Sequence, residues 1–86
     1  MPDDPGWFAI VNPASGSGRG LVRWQRLAAA LAAEGVRFEA EVTRQPGDGE
    51  ALAAAAVARG FRRLLAVGGD GTLHETVNGA MAAGLD

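Results

Sequence analysis

The stretch that most limits how this chain can fold runs from Arg62 to Glu75, RRLLAVGGDGTLHE. Arg62 to Val67 is a short apolar run that ends in glycines, the pattern of a buried strand. Thr72-Leu73-His74-Glu75 has the S/T-x-x-E spacing of a capping box, which predicts a helix beginning at Thr72. Gly68-Gly69-Asp70-Gly71 makes a tight turn between the two. A strand that feeds a helix through glycines leaves backbone N–H groups pointing outward at a positive helix end, the usual physical basis of a phosphate site.

The rest of the chain supplies a scaffold for that turn. Trp7-Phe8-Ala9-Ile10-Val11 is apolar without alternation, as in a central parallel strand covered on both faces. Asn12-Pro13-Ala14-Ser15-Gly16-Ser17-Gly18 is a loop of small, polar and turn-forming residues. A helix is expected from Arg19 or Gly20 to Glu34, with Leu21, Trp24, Leu27, Ala28 and Leu31 on one face and Gly35 after its end. Val36 to Thr43 alternates strictly and predicts an edge strand with one wet face. After the turn Arg44–Gly47, Asp48 is placed to cap an alanine-rich helix that ends near Arg59. The last helix runs from Thr72 to about Ala83.

The order βαβαβα implies a parallel sheet with right-handed crossovers, an α/β fold of three layers. The strand characters predict spatial order 2-1-3, since strand 2 is half-polar while strands 1 and 3 are apolar on both faces. That order puts a switch point between strands 1 and 3. The Asn12–Gly18 and Gly68–Thr72 loops then face one crevice beyond the carboxyl ends of the strands. Strand 3 reads as buried on both faces, yet no further strand follows it. Doubly wound domains usually have about five or more strands. The chain is therefore expected to be the N-terminal part of a longer protein, or to pair its open edge with a partner, a second copy included.

Bulk properties exclude several classes. The 86 residues bound the chain to one small domain, and 48% hydrophobic content suffices for a core. The net charge is -2 and all eight cations are arginine, with no basic run, so nucleic-acid binding has no support. Without cysteine there is neither a disulfide nor a thiolate metal site, which fits a cytoplasmic setting. The acidic start Met1–Gly6 is no signal peptide, and no apolar run approaches the roughly 20 residues of a membrane span.

Asp70 is the residue with most chemical interest. A carboxylate beside a polyphosphate repels it unless a cation intervenes or the carboxylate handles a proton. Its possible roles are a Mg²⁺ contact, direct or through water, a base for an attacking hydroxyl, or turn structure alone. Thr72 reads as a helix cap with Glu75 as its capping partner, and His74 reads as a surface residue. Gly79 is expected to permit close helix–sheet packing, and Trp7 and Trp24 are expected in the core. A Walker loop needs lysine, which the chain lacks. Gly16-Ser17-Gly18-Arg19-Gly20-Leu21 nearly matches G-x-G-x-x-G but ends in leucine, and no acid stands at the end of strand 2. Thr43 ends that strand at the rim of the crevice.

With these residues in view, the sequence resembles the diacylglycerol kinase catalytic domain family, which includes bacterial lipid kinases and sphingosine and ceramide kinases and is distantly related to NAD kinases. Val11-Asn12-Pro13-Ala14-Ser15-Gly16 is similar to its N-P-x-S-G loop. Thr43 with Gly47-Asp48 resembles its T-x-x-x-G-D-A segment, with Gly49 in place of alanine. Gly68 to Gly79 is similar to the G-G-D-G-T-L-H-E-V-V-N-G hallmark, with Thr76 for valine. The resemblance implies the nucleotide-binding part of a NAD-kinase/diacylglycerol-kinase-like domain and ATP-dependent phosphorylation of a lipid hydroxyl, that of diacylglycerol or a related long-chain alcohol, assisted by Mg²⁺. Carried over by position, Asn12, Pro13, Ala14, Ser15, Gly16, Thr43, Gly68, Gly69, Asp70, Gly71, Thr72, Leu73 and His74 would contact ATP, with Asp70 catalytic. It also implies a second, mostly β, lipid-binding domain beyond this sequence, through which a cytoplasmic enzyme would touch the inner face of the membrane. On that view the isolated chain has little activity of its own. An NAD kinase-like enzyme and a non-catalytic nucleotide-binding module are the alternatives.

Overall fold

A computed structural model describes residues 4–85. Its elements are β1 (Trp7–Val11), a single turn α1 (Ser15–Gly18), α2 (Gly20–Ala33), β2 (Phe38–Val42), α3 (Asp48–Ala58), β3 (Arg63–Val67) and α4 (Asp70–Ala82). The three strands form one parallel sheet in the order β2-β1-β3. Strand order and parallel pairing are those the sequence predicts, and the single turn α1 is an addition within the stretch read as a loop.

The pleat of β1 divides the core. Phe8 and Ile10 point to one face, where they meet Ala53 and Ala56 of α3 and the buried ring of Phe61. Phe8 and Phe61 pack edge to face with centroids 5.2 Å apart. Such a pair contributes about 0.5–1.5 kcal/mol beyond its area. Ala9 and Val11 point to the other face, under Trp24, Ala28 and Leu31 of α2. Trp24 also meets Phe38 of β2 edge to face at 5.5 Å. The inner stripe of α2 is therefore narrower than its sequence face, because Leu21 and Leu27 remain exposed.

Four expectations need correction. Trp7 is no core residue: it begins the strand and is 36% exposed. β2 starts at Phe38 rather than Val36, and its apolar face is thinly covered, leaving Ala40 and Val42 exposed. A single helix on that side of the sheet cannot shield the outer strand. β3 is only half-buried along Leu64 to Val67, since it too is an edge among the described residues. Gly79 serves helix–helix packing: a Cβ there would lie 2.1 Å from the Glu50 backbone oxygen, so its absence lets α4 approach α3. Glycine inside a helix costs about 1 kcal/mol relative to alanine, and the close contact offsets that.

Two surfaces at β3 bear on the site. At its lower end, the Arg63 guanidinium pairs with the Asp4 carboxylate at 2.6 Å and Arg37 donates to the Asp4 carbonyl at 2.8 Å, closing that rim. Beside β3, Leu64 and Ala66 with Leu73, Val77 and Met81 of α4 line an open apolar groove of about 370 Å³. Among the described residues, no helix is long and apolar enough to cross a membrane.

Candidate active site

The carboxyl ends of the strands build the site. The sheet ladder continues one residue past Val11, with Asn12 N donating to Val67 O and Thr43 N donating to Val11 O, both at 2.8 Å. Asn12 and Thr43 are thus planted on the sheet itself. The Asn12 side chain then starts the loop: its Oδ1 accepts from Ala14 N at 3.0 Å, an Asx turn. Ser15 Oγ donates to Asn12 O at 3.0 Å and closes the corner. The chain continues with Gly16, Ser17 and Gly18 all at positive φ.

The second loop meets the first at Gly68. A Cβ at Gly68 would stand 2.4 Å from Thr72 Oγ1 and 3.2 Å from Asn12 Cβ, so only glycine lets the two loops touch. α4 then begins at Asp70, two residues earlier than the capping-box spacing predicts. Thr72 is no N-cap. It sits inside the first turn, 6% exposed, where its carbonyl accepts from Thr76 Oγ1 at 2.7 Å.

Glu75 is no capping partner either. Its carboxylate crosses to α3, accepting from Gly49 N at 2.9 Å and Gly47 N at 3.2 Å. Asp48, placed by the sequence as the cap of α3, turns back instead and accepts from Arg44 N at 2.8 Å and Gln45 N at 3.1 Å. Asp48 thereby shapes the Arg44–Gly47 loop, and Glu75 satisfies the start of α3.

Between the loops lies a crevice of about 590 Å³. Asn12, Pro13, Ala14, Ser15 and Gly16 form one wall, and Gly69, Gly71 and Thr72 form another. Thr43 with Arg44, Gln45 and Pro46 forms the third, and Glu75 completes the lining. Gly68 stands exposed at the junction, and Asp70 stands exposed at the head of α4, flanking the crevice without a hydrogen-bond partner among the described residues. Leu73 turns away into the apolar groove. His74 is exposed, with Nε2 at 3.1 Å from Asn78 Nδ2, one turn on. Arg44–Pro46 were not singled out by sequence, although their place directly after the strand-end Thr43 was a usable signal. Glu75 gave no local sign of its contact.

The crevice suits a nucleotide-sized ligand, since small-molecule sites span about 300–1,000 Å³. The first turn of α4 has no side-chain cap, so its N–H groups are free to meet an anion. No three acidic, histidine or cysteine residues converge on a cation site among the described residues. Asp70 offers a single carboxylate beside the loop. That donor set fits Mg²⁺ shared with substrate phosphates, which characteristically takes one or two carboxylates and keeps its waters.

A parallel α/β sheet with two small-residue loops meeting at its switch point places an open crevice where ligands of such folds bind. The chain belongs to the diacylglycerol kinase catalytic domain family, which it matches over residues 6–86. It is 38% identical over 76 residues to a Bacillus subtilis protein named "Putative lipid kinase YtlR", covering 85% of this chain and 25% of that one. It is 35% identical over 69 residues to the "Probable lipid kinase YegS-like" protein of Xanthomonas campestris, covering 80% of this chain and 21% of that one. A crystal structure titled as a putative diacylglycerol kinase from Bacillus anthracis superposes with a TM-score of 0.73 at 25% identity, covering 99% of this chain and 29% of that one. The chain thus spans about a quarter or less of the curated relatives it matches, 25% and 21% of their lengths.

Proposed function

We propose that this chain is the ATP-binding part of a lipid kinase and that its crevice holds the nucleotide whose γ-phosphate passes to a lipid hydroxyl. The observation that carries the reading is the meeting of the Asn12–Gly16 and Gly68–Thr72 loops at Gly68, over the uncapped start of α4. Phosphoryl transfer is mostly positioning and charge neutralisation, and both loops offer backbone N–H groups for that. Asn12 and Thr43, fixed by the ladder, orient the ligand between them. Asp70 accepts the proton of the attacking hydroxyl or holds the hydrated cation that ATP brings. Mg²⁺, when bound with ATP, supplies charge neutralisation on the phosphates.

Lipid as acceptor is supported by the names of the relatives and by no feature of the crevice itself. The apolar groove beside β3 and the greater length of the relatives support a further segment that covers this edge and carries the acceptor site. Residues 1–86 alone are then expected to bind ATP with little turnover.

The test uses the intact protein with ATP and a panel of acceptors that includes diacylglycerol and NAD. Transfer to a lipid hydroxyl is expected. Phosphorylation of NAD without lipid turnover would overturn the acceptor assignment. Asp70→Asn should cut turnover by about a hundredfold or more, with ATP affinity little changed for the proton role and weakened for the cation role. Unchanged turnover would remove Asp70 from the chemistry.

A further inference from the structure

The nucleotide reading raises a charge problem that the chain solves without lysine, since all of its eight cations are arginine. A polyphosphate needs positive partners, and two crevice neighbours, Asp70 and Glu75, are acidic. Several arginines are committed elsewhere: Arg59 pairs with Glu39 at 2.9 Å, Arg63 pairs with Asp4, and Arg37 donates to the Asp4 carbonyl. Arg23 is different. Its guanidinium lies against the first loop, with Nη1 at 3.2 Å and Nη2 at 3.6 Å from where a Cβ of Gly16 would be. Gly16 itself lines the crevice.

The loop does not need that guanidinium for its own shape. Its turn is closed by Gly18 N donating to Ala14 O at 3.1 Å, Arg19 N to Gly16 O at 3.3 Å, and Ser15 Oγ to Asn12 O. Among the described residues the Arg23 side chain has no ion pair and donates to no protein acceptor. A guanidinium carries five N–H donors in a planar fork matched to phosphate oxygens. Here that fork stands exposed one helical turn beyond Arg19, against a residue with no side chain to block it.

We propose that Arg23 is a phosphate-contacting residue of the crevice, reaching over Gly16 to the polyphosphate of the bound nucleotide. The assignment rests on the nucleotide reading above and deepens it. Gly16 then has a second role beside its left-handed backbone: it opens a window between α2 and the ligand. A Cβ at position 16 would press on the guanidinium at 3.2 Å and push it aside.

The test is calorimetric titration of the full chain with ATP, adenosine and inorganic tripolyphosphate, for wild type, Arg23→Met and Arg23→Lys. Met keeps the apolar stem and removes the charge, and the exposed position should leave the melting temperature unchanged. Arg23→Met is expected to weaken ATP and tripolyphosphate about tenfold, to leave adenosine unaffected, and to flatten the salt dependence of ATP binding. Arg23→Lys should recover part of the loss. An equal fall for ATP and adenosine would make Arg23 a support of the turn and overturn the proposal, as would no change at all. If wild type binds tripolyphosphate through Arg23 but ignores the adenine moiety, Arg23 stands and the nucleotide reading falls. If wild type binds none of the three, both fall.

Discussion

Two helices begin at the same crevice, and they are finished in opposite ways. The start of α3 is closed: Glu75 crosses over to take the Gly47 and Gly49 N–H groups, and Asp48 ties down the loop before it. The start of α4 is open: Gly69 offers no side chain, Thr72 is buried without capping, and Asp70 is unpartnered among the described residues. Both ends carry the same positive dipole. Only the second can present it to a ligand, because a protein carboxylate already occupies the first. On the proposed reading, the anion site is selected by leaving one helix unfinished as much as by adding glycines.

That contrast can be broken experimentally. The largest effect is expected where the two helices touch. Gly79→Ala drives a Cβ into the Glu50 carbonyl and should lower stability by about 3 kcal/mol, read from urea midpoints. A neutral result would mean that α4 can shift without loss. Next comes Glu75→Ala, which strips the Gly47 and Gly49 N–H groups of their partner and should cost about 2 kcal/mol, with Glu75→Gln recovering part. If Glu75→Ala unfolds at the wild-type midpoint, the start of α3 is not closed by this carboxylate and the contrast fails. The smallest shift is expected at the open end. Asp70→Asn should move stability by no more than about 0.5 kcal/mol, as for an exposed residue without contacts. A large loss there would show that α4 depends on Asp70 for its own start.

Much of this architecture is legible in the sequence because it is local. β1 spans Trp7–Val11 as its unbroken apolar run predicts, and the half-polar character of β2 correctly sends it to the edge. Both glycine loops fall at the carboxyl rim, since a βα junction of a parallel sheet has nowhere else to go. What escaped was tertiary. The Thr72–Glu75 spacing satisfies a capping box, but Glu75 finds two N–H groups 26 and 28 residues away. Asp48 likewise prefers the loop behind it to the helix ahead. Gly79 announces close packing without naming the neighbour, which proves to be α3 rather than the sheet. Arg23 lies within an apparently ordinary helix face, and only the fold brings it over Gly16.

The two hydrogen bonds that extend the ladder past Val11 have a mechanical consequence. Asn12 and Thr43 are the last rungs of the same sheet that holds Ile10 and Val11 at the centre of the core. On the proposed function, grip on a ligand and integrity of the sheet are therefore one cooperative property. A bound ligand would slow amide exchange down the length of β1, and loosening β1 anywhere would be felt first as a weaker hold at the rim.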